Sequence, residues 1–258
     1  MTEGAKTVSE THLATSALCS ASKGPALVAV PATLGSHATG LRTRRGQSLA
    51  LAFDGSETAF IVRAGVFTLQ LTLPGRSRQL VAMFFPGDVV RSSFAPHHAE
   101  ASLISASAGE LWRMRLSALQ TLAAADPAIM RYLDDAMASQ MARQAIHAAT
   151  LGELDCEQRV ATLLVELAVR TGMSVPGGGV MFDFPFNRKD VADFLGLNPD
   201  TLSRIMSRFR ATGLVGQSER SRVVLRDFSA LAARSPAARS LLEISGGSRI
   251  EASLGGAV

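Results

Sequence analysis

Residues 186 to 215 place two short stretches of helical spacing on either side of a glycine, and this segment constrains the chain more than any other. The first runs Asn187-Arg188-Lys189-Asp190-Val191-Ala192-Asp193-Phe194-Leu195. After Gly196-Leu197-Asn198, the second runs Pro199-Asp200-Thr201-Leu202-Ser203-Arg204-Ile205-Met206-Ser207-Arg208-Phe209-Arg210. Asn187 and Asn198 can accept hydrogen bonds from the free N–H groups of a helix start, and Pro199 follows at the first helical position, where a missing N–H costs nothing. Gly196 permits the left-handed backbone of a tight turn. Ala192 gives two crossing helices the close approach they need. The pattern predicts a helix-turn-helix.

In the second helix Leu202, Ile205, Met206 and Phe209 share one side, which leaves Asp200, Ser203, Arg204 and Arg208 on the other. That outer face suits a DNA groove. Arg204 can donate two hydrogen bonds to a guanine, while Asp200 can accept from a cytosine and brace the arginine. Ser203 is small enough to let the helix sit deep in the major groove. Arg188 and Thr201 stand near helix N-termini, where contacts to phosphate are geometrically easy. Lys189 and Arg208 complete the expected phosphate contacts. Downstream, Leu214 to Gln217 and Arg222 to Leu225 flank a polar turn at Ser218 to Ser221, which predicts a hairpin wing, and Asp227 can cap a closing helix. The chain is nearly balanced overall, with 26 Lys+Arg against 22 Asp+Glu, but Arg204 to Arg226 holds six arginines against one acid, Glu219.

The N-terminal half has a different period. From Leu41 to Arg115, short apolar runs alternate with glycine turns: Ser48 to Phe53, Ala59 to Arg63, Phe67 to Leu73, Gln79 to Phe85 and Leu111 to Met114. This spacing argues a β sandwich or barrel, with turns at Pro74-Gly75 and Pro86-Gly87-Asp88. At Asp126 the period changes to nearly four. Ile129, Leu133, Met137 and Met141 fall on one stripe of a helix that Asp126 caps and Pro127 begins. Its length of about 25 residues exceeds what so small a domain needs, so those four residues are expected to form a dimer interface. Asp155 with Gln158 then reads as a capping box for the next helix.

Composition removes several classes. No apolar run reaches the roughly 18 to 20 residues of a membrane span. Residues 1–38 carry Glu3, Lys6 and Glu10 before an interrupted apolar stretch, a poor signal sequence, and are expected to be a flexible tail, as are residues 235–258. Two cysteines, Cys19 and Cys156, cannot supply a zinc or iron–sulfur site alone, and thiols of this kind fit a reducing cytoplasm. Cys156, at a helix start, is a candidate redox switch. No nucleophile stands with a base, no metal-ligand spacing occurs, and Gly177-Gly178-Gly179 lacks the Lys-Ser/Thr of a phosphate loop. No enzyme, no metal site and no cofactor are expected.

Over about residues 40 to 232 the chain resembles the transcription regulators of the Crp/Fnr superfamily. The resemblance rests on Phe85-Pro86-Gly87-Asp88 in the β region, Met141-Ala142-Arg143 in the long helix, a hinge at Leu154-Asp155, and Ala192, Leu195-Gly196, Thr201, Ser203-Arg204 and Gly213-Leu214 in the winged segment. It implies an α+β chain: a cyclic-nucleotide-binding-like β jelly roll at 39–125, a dimerisation helix at 126–154 and a winged helix-turn-helix DNA-binding domain at 155–234. It also implies a homodimer on double-stranded DNA, an activator working with RNA polymerase. The recognition segment is most similar to the Fnr and FixK branch, which reads TTGAT-like half-sites, although Asp200 replaces the usual glutamate and Pro199 is a departure. Arg91-Ser92 stands where cyclic-nucleotide readers carry Gly-Glu, and Cys19 alone stands where Fnr-type cluster sensors carry several cysteines. A ligand- or haem-dependent sensor is the alternative reading, with His97, His98 or His147 as axial ligands.

Overall fold

Val89 and Val90 are neighbours in sequence yet belong to different cores, and the same split runs along the apolar strands. The computed structural model describes residues 29–245 apart from 54–55, 76–77, 97–98, 176–178 and 220. Its β domain consists of β1 (Thr39–Thr43), β2 (Ser48–Ala50), β3 (Ala52–Phe53), β4 (Ser56–Ala64), β5 (Phe67–Thr72), β6 (Arg78–Phe84), β7 (Val89–Arg91), β8 (Glu100–Ser105) and β9 (Gly109–Arg115). One antiparallel sheet runs β1-β9-β4-β3, with β7 also on β4, and the other runs β2-β8-β5-β6. Phe60 of β4 faces Arg113 of β9, and Leu69 of β5 faces Leu103 of β8.

Side chains alternate across a strand, so a strand covered on both faces reads as a continuous apolar run. Phe60 and Val62 of β4 point between the sheets with Phe67, Leu69, Phe84, Leu103 and Leu111. Ala59 and Ile61 point outward against two helices, α1 (Leu116–Ala125) and α2 (Pro127–Glu153). In β6, Ala82 and Phe84 point inward, while Leu80 and Met83 join the core of the C-terminal domain.

That domain contains α3 (Cys156–Thr171), β10 (Met173–Val175), β11 (Gly179–Asp183), α4 (Arg188–Leu195), α5 (Pro199–Ala211), β12 (Val215–Glu219), β13 (Arg222–Leu225), α6 (Phe228–Ala232) and α7 (Ala238–Ile244). The sheet order is β10-β11-β13-β12, and the β12–β13 hairpin is the expected wing. α3 runs through the middle, its residues from Val160 to Val165 all buried.

Three expectations change. Within residues 29–38, Leu34 is fully buried in the core shared by Ile61 and Leu119, so the ordered β domain begins before residue 39. Beyond residue 234, Ala238, Leu241 and Leu242 of α7 are buried in the core of the C-terminal domain, so the stretch 235–244 is structure and not tail. On α2, Ile129 and Leu133 are 1% and 4% exposed against the protein's own β domain and cannot line a dimer interface. Met137 is half-buried and Met141 is 69% exposed. The outward apolar stripe therefore keeps Met137 and Met141 of the expected one, begins at Met130 and continues through Ala145 and Ala148.

The domains are joined through Asp88, in the turn after β6. Its Oδ1 accepts from Arg143 Nη2 of α2 at 2.9 Å and from Arg170 Nη2 of α3 at 2.7 Å, and its Oδ2 accepts from Phe85 N at 2.9 Å. Tyr132 of α2 donates to Gly87 O at 2.9 Å. Burial, and then the charge of Asp88, hold that phenol protonated. Beside the junction, burial pushes the Glu166 carboxyl above its ordinary pKa, against the pull of Arg143 and Arg170.

Candidate nucleic-acid interface

The helix-turn-helix forms from its own local chemistry. Asn187 Oδ1 accepts from Asp190 N at 2.8 Å, and Asn198 Oδ1 accepts from Asp200 N at 2.8 Å, so both helices are capped as their sequences predict. Gly196 takes φ 62°, a left-handed turn that a side chain would strain. Ala192 is fully buried where α4 and α5 cross. Leu202, Ile205 and Phe209 anchor α5, at 4%, 4% and 0% exposure, and Met206 is half-buried beside them.

Their burial turns the opposite face of α5 outward. Asp200 and Arg204 are exposed, and Thr201 and Ser203 are half-exposed. No ion pair joins Asp200 to Arg204, so the expected bracing of the arginine is not made, and Arg204 makes no ion pair with any other of the described residues. Ser203 Oγ donates to Pro199 O at 2.7 Å, which leaves its lone pairs facing out. Arg188 and Lys189 are exposed on the first turn of α4.

Arg208, expected on a phosphate, has an acid of the protein itself as its partner. Its Nη1 donates to Glu157 Oε2 at 2.6 Å, at the start of α3. Conversely, the structure brings in residues that the sequence pattern did not single out. A groove of about 250 Å³ opens between α5 and the wing, with Ser207 and Arg210 of α5 and Arg222 of β13 joining Arg188 and Ser203 on its walls. Arg222 Nε also donates to Asp183 Oδ1 at 3.2 Å. The signal was present in the six arginines between 204 and 226, but their faces were not.

Elsewhere the candidate sensory residues have ordinary surroundings. Phe60, Phe67, Phe84, Val90, Leu103 and Leu111, each 0–2% exposed, fill the space between the two β sheets. Ser92 Oγ accepts from Thr58 N at 3.2 Å in the short turn that follows Arg91. His97 and His98 lie outside the described residues. His147 stacks on Phe194, with ring centroids 3.9 Å apart and an interplanar angle of 7°. Burial lowers its pKa to about 4. A folded pKa below the unfolded value of about 6.5 means that the neutral ring stabilises the fold above pH 6.5, and this contribution is lost as pH falls toward 4. Unfolding free energy is expected to drop by on the order of 2 kcal/mol across that window, and His147→Leu is expected to flatten this limb in urea titrations at successive pH values. Glu166, shifted upward, has the opposite slope, which is why the difference between the two proteins is the informative quantity. Cys156 is exposed at the first position of α3.

Residues 158–234 match the Crp-like helix-turn-helix domain. The chain is 30% identical over 179 residues to the nitrogen fixation regulation protein FixK of Azorhizobium caulinodans, an overlap covering 68% of this chain and 71% of that one. The chain belongs to the Crp/Fnr family. A second Crp/Fnr relative, the transcriptional activator protein FnrA of Stutzerimonas stutzeri, is 27% identical over 178 residues, covering 67% and 70% of the two chains. The solved structure of FixK2 from Bradyrhizobium japonicum superposes with a TM-score of 0.65 at 26% identity, covering 78% of this chain and 98% of that one. The Crp/Fnr fold thus accounts for the β domain, α2 and the winged domain together, as the sequence predicts.

Proposed function

We propose that this Crp/Fnr regulator is a cytoplasmic homodimer that reads a TTGAT-like palindrome in double-stranded DNA and activates transcription through RNA polymerase. It acts by binding, not by catalysis. Asp200, Ser203 and Arg204 face the base edges, and Arg188, Lys189 and Thr201 take phosphates. The observation that carries this reading is the outer face of α5, where Arg204, exposed and without an ion pair among the described residues, projects from a helix anchored by three buried apolar residues.

Dimerisation follows from α2. Met130 and Met141 remain 42% and 69% exposed on a 27-residue helix, an apolar stripe that a second copy of the same helix would cover. Pairing the two helices side by side presents one recognition helix to each half-site. A nuclease footprint on a TTGAT palindrome is expected to protect two half-sites about one helical turn, roughly 10 base pairs, apart. A footprint confined to one half-site, or none, overturns the reading. Met141→Asp is expected to convert the dimer to monomer by sedimentation velocity and to weaken operator binding by roughly a hundredfold or more, because each half-site would then bind alone.

A further inference from the structure

Arg208 lies one helical turn beyond Arg204, near the C-terminal end of α5, the end that would pass the phosphate rim in a helix docked by its N-terminal residues. It is 60% exposed, but its guanidinium turns back to Glu157. Glu157 serves two arginines, one on each carboxylate oxygen: Arg208 on Oε2 and Arg234 on Oε1. Arg234 comes from the segment after α6 and also lies over the Phe209 ring, 5.8 Å from its centroid. An acid on the second residue of α3, two basic side chains and the end of the recognition helix thus meet at one point.

We propose that Glu157 is an intramolecular stand-in for a DNA phosphate, holding Arg208 off the duplex and so setting how tightly, and with what salt dependence, the protein grips the DNA backbone. The inference rests on the DNA-binding reading above. An ion pair this exposed is worth about 1 kcal/mol or less, so the phosphates of a docked duplex compete with it on near-equal terms. When Arg208 leaves, Arg234 still neutralises Glu157. The exchange therefore strands no charge, which explains why one carboxylate carries two arginines. Because the contact is to phosphate, it tunes affinity alike for all sequences and leaves base discrimination to Arg204.

The test is a double-mutant cycle on the full-length dimer, using Glu157→Gln, Arg208→Ala and the pair, titrated over a range of salt against a random-sequence duplex and a TTGAT palindrome. Glu157→Gln is expected to tighten binding to both duplexes about five- to tenfold at about 100 mM salt and to steepen the log–log salt slope by about 0.9 per subunit. Arg208→Ala is expected to cost about twofold in the wild-type background and about five- to tenfold in the Glu157→Gln background. Simple removal of a negative charge would also tighten binding, but would give Arg208→Ala the same cost in both backgrounds. That additive result overturns the inference, as does a Glu157→Gln protein that keeps its circular dichroism and thermal midpoint yet binds no tighter. A wild-type protein that binds neither duplex overturns the DNA-binding reading itself, and the inference with it.

Discussion

Asp88→Ala is expected to lower the unfolding free energy by about 3–5 kcal/mol, the range found when one partner of a buried ion pair is removed. Asp88 is 4% exposed, and its carboxylate is the shared acceptor for Arg143 and Arg170, which are 6% and 11% exposed in their side chains. Arg143 Nη1 and Arg170 Nε are already buried without a hydrogen-bond partner, and the other carboxyl that acts on both arginines, Glu166, is held above its ordinary pKa by burial, so it replaces the lost charge only in part. Two cations would be left in a closed interface. Asp88→Asn should behave similarly, because it keeps the volume and removes the charge. Replacing Asp88, Arg143 and Arg170 together by apolar residues should restore much of the loss, since the cost lies in the unpaired charges and not in the missing attraction.

Asp88 belongs to the β domain, Arg143 to α2 and Arg170 to α3, so the same substitution should also uncouple the domains. Trp112, the single tryptophan, sits in β9 and reports the β domain by fluorescence, while far-ultraviolet circular dichroism reports mainly the helices. In urea the two signals should coincide for the wild type and separate for Asp88→Ala. Coincident transitions and a loss below about 1 kcal/mol would mean that the apolar contacts of Leu80, Met83 and Phe85 with the C-terminal domain hold the two halves without the ion pairs.

What the sequence made legible was local. Asp126 before Pro127, Asp155 with Gln158, Asn187, Asn198 and Gly196 each act within four residues of themselves, and each is found in the expected cap or turn. Contacts across long separations were not legible. Asp88 read only as a turn residue, because nothing local announces arginines 55 and 82 positions away. Arg208 read as a free cation for the same reason, its partner Glu157 being 51 residues earlier. The α2 stripe failed differently. A period near 3.6 shows that a helix has an apolar face, but Ile129 and Met141 fall within one broad face of which one half packs on the β domain and the other is exposed. Helix α7 was missed because its seven residues are too short to show a period and are followed by a Ser/Gly-rich stretch.

Arg204→Ala is expected to lose about 1–3 kcal/mol of discrimination at a single base pair, roughly a 5- to 150-fold relaxation there, with little change at the other positions. The reasoning is geometric. Arg204 is exposed, makes no ion pair among the described residues, and lies on the turn of α5 that follows Asp200 and Ser203, the stretch proposed to face base edges. Arg188→Ala, by contrast, removes a cation beside the α5–wing groove and should weaken all sequences alike while making the salt slope shallower by about 0.9 per subunit. Binding to a panel of palindromes, each altered at one symmetric pair, separates the two patterns. If Arg204→Ala weakened every palindrome equally, its side chain would be a phosphate contact and specificity would lie elsewhere on α5.

Recognition of DNA sequence through α5 can be read from a single competition titration. Full-length protein is bound to a labelled TTGAT palindrome at about 100 mM salt and displaced with the same palindrome or with random duplex. Random duplex is expected to compete about a thousandfold less well, and Arg204→Ala to narrow this gap. Equal competition by the two duplexes, from a folded dimer, would contradict it.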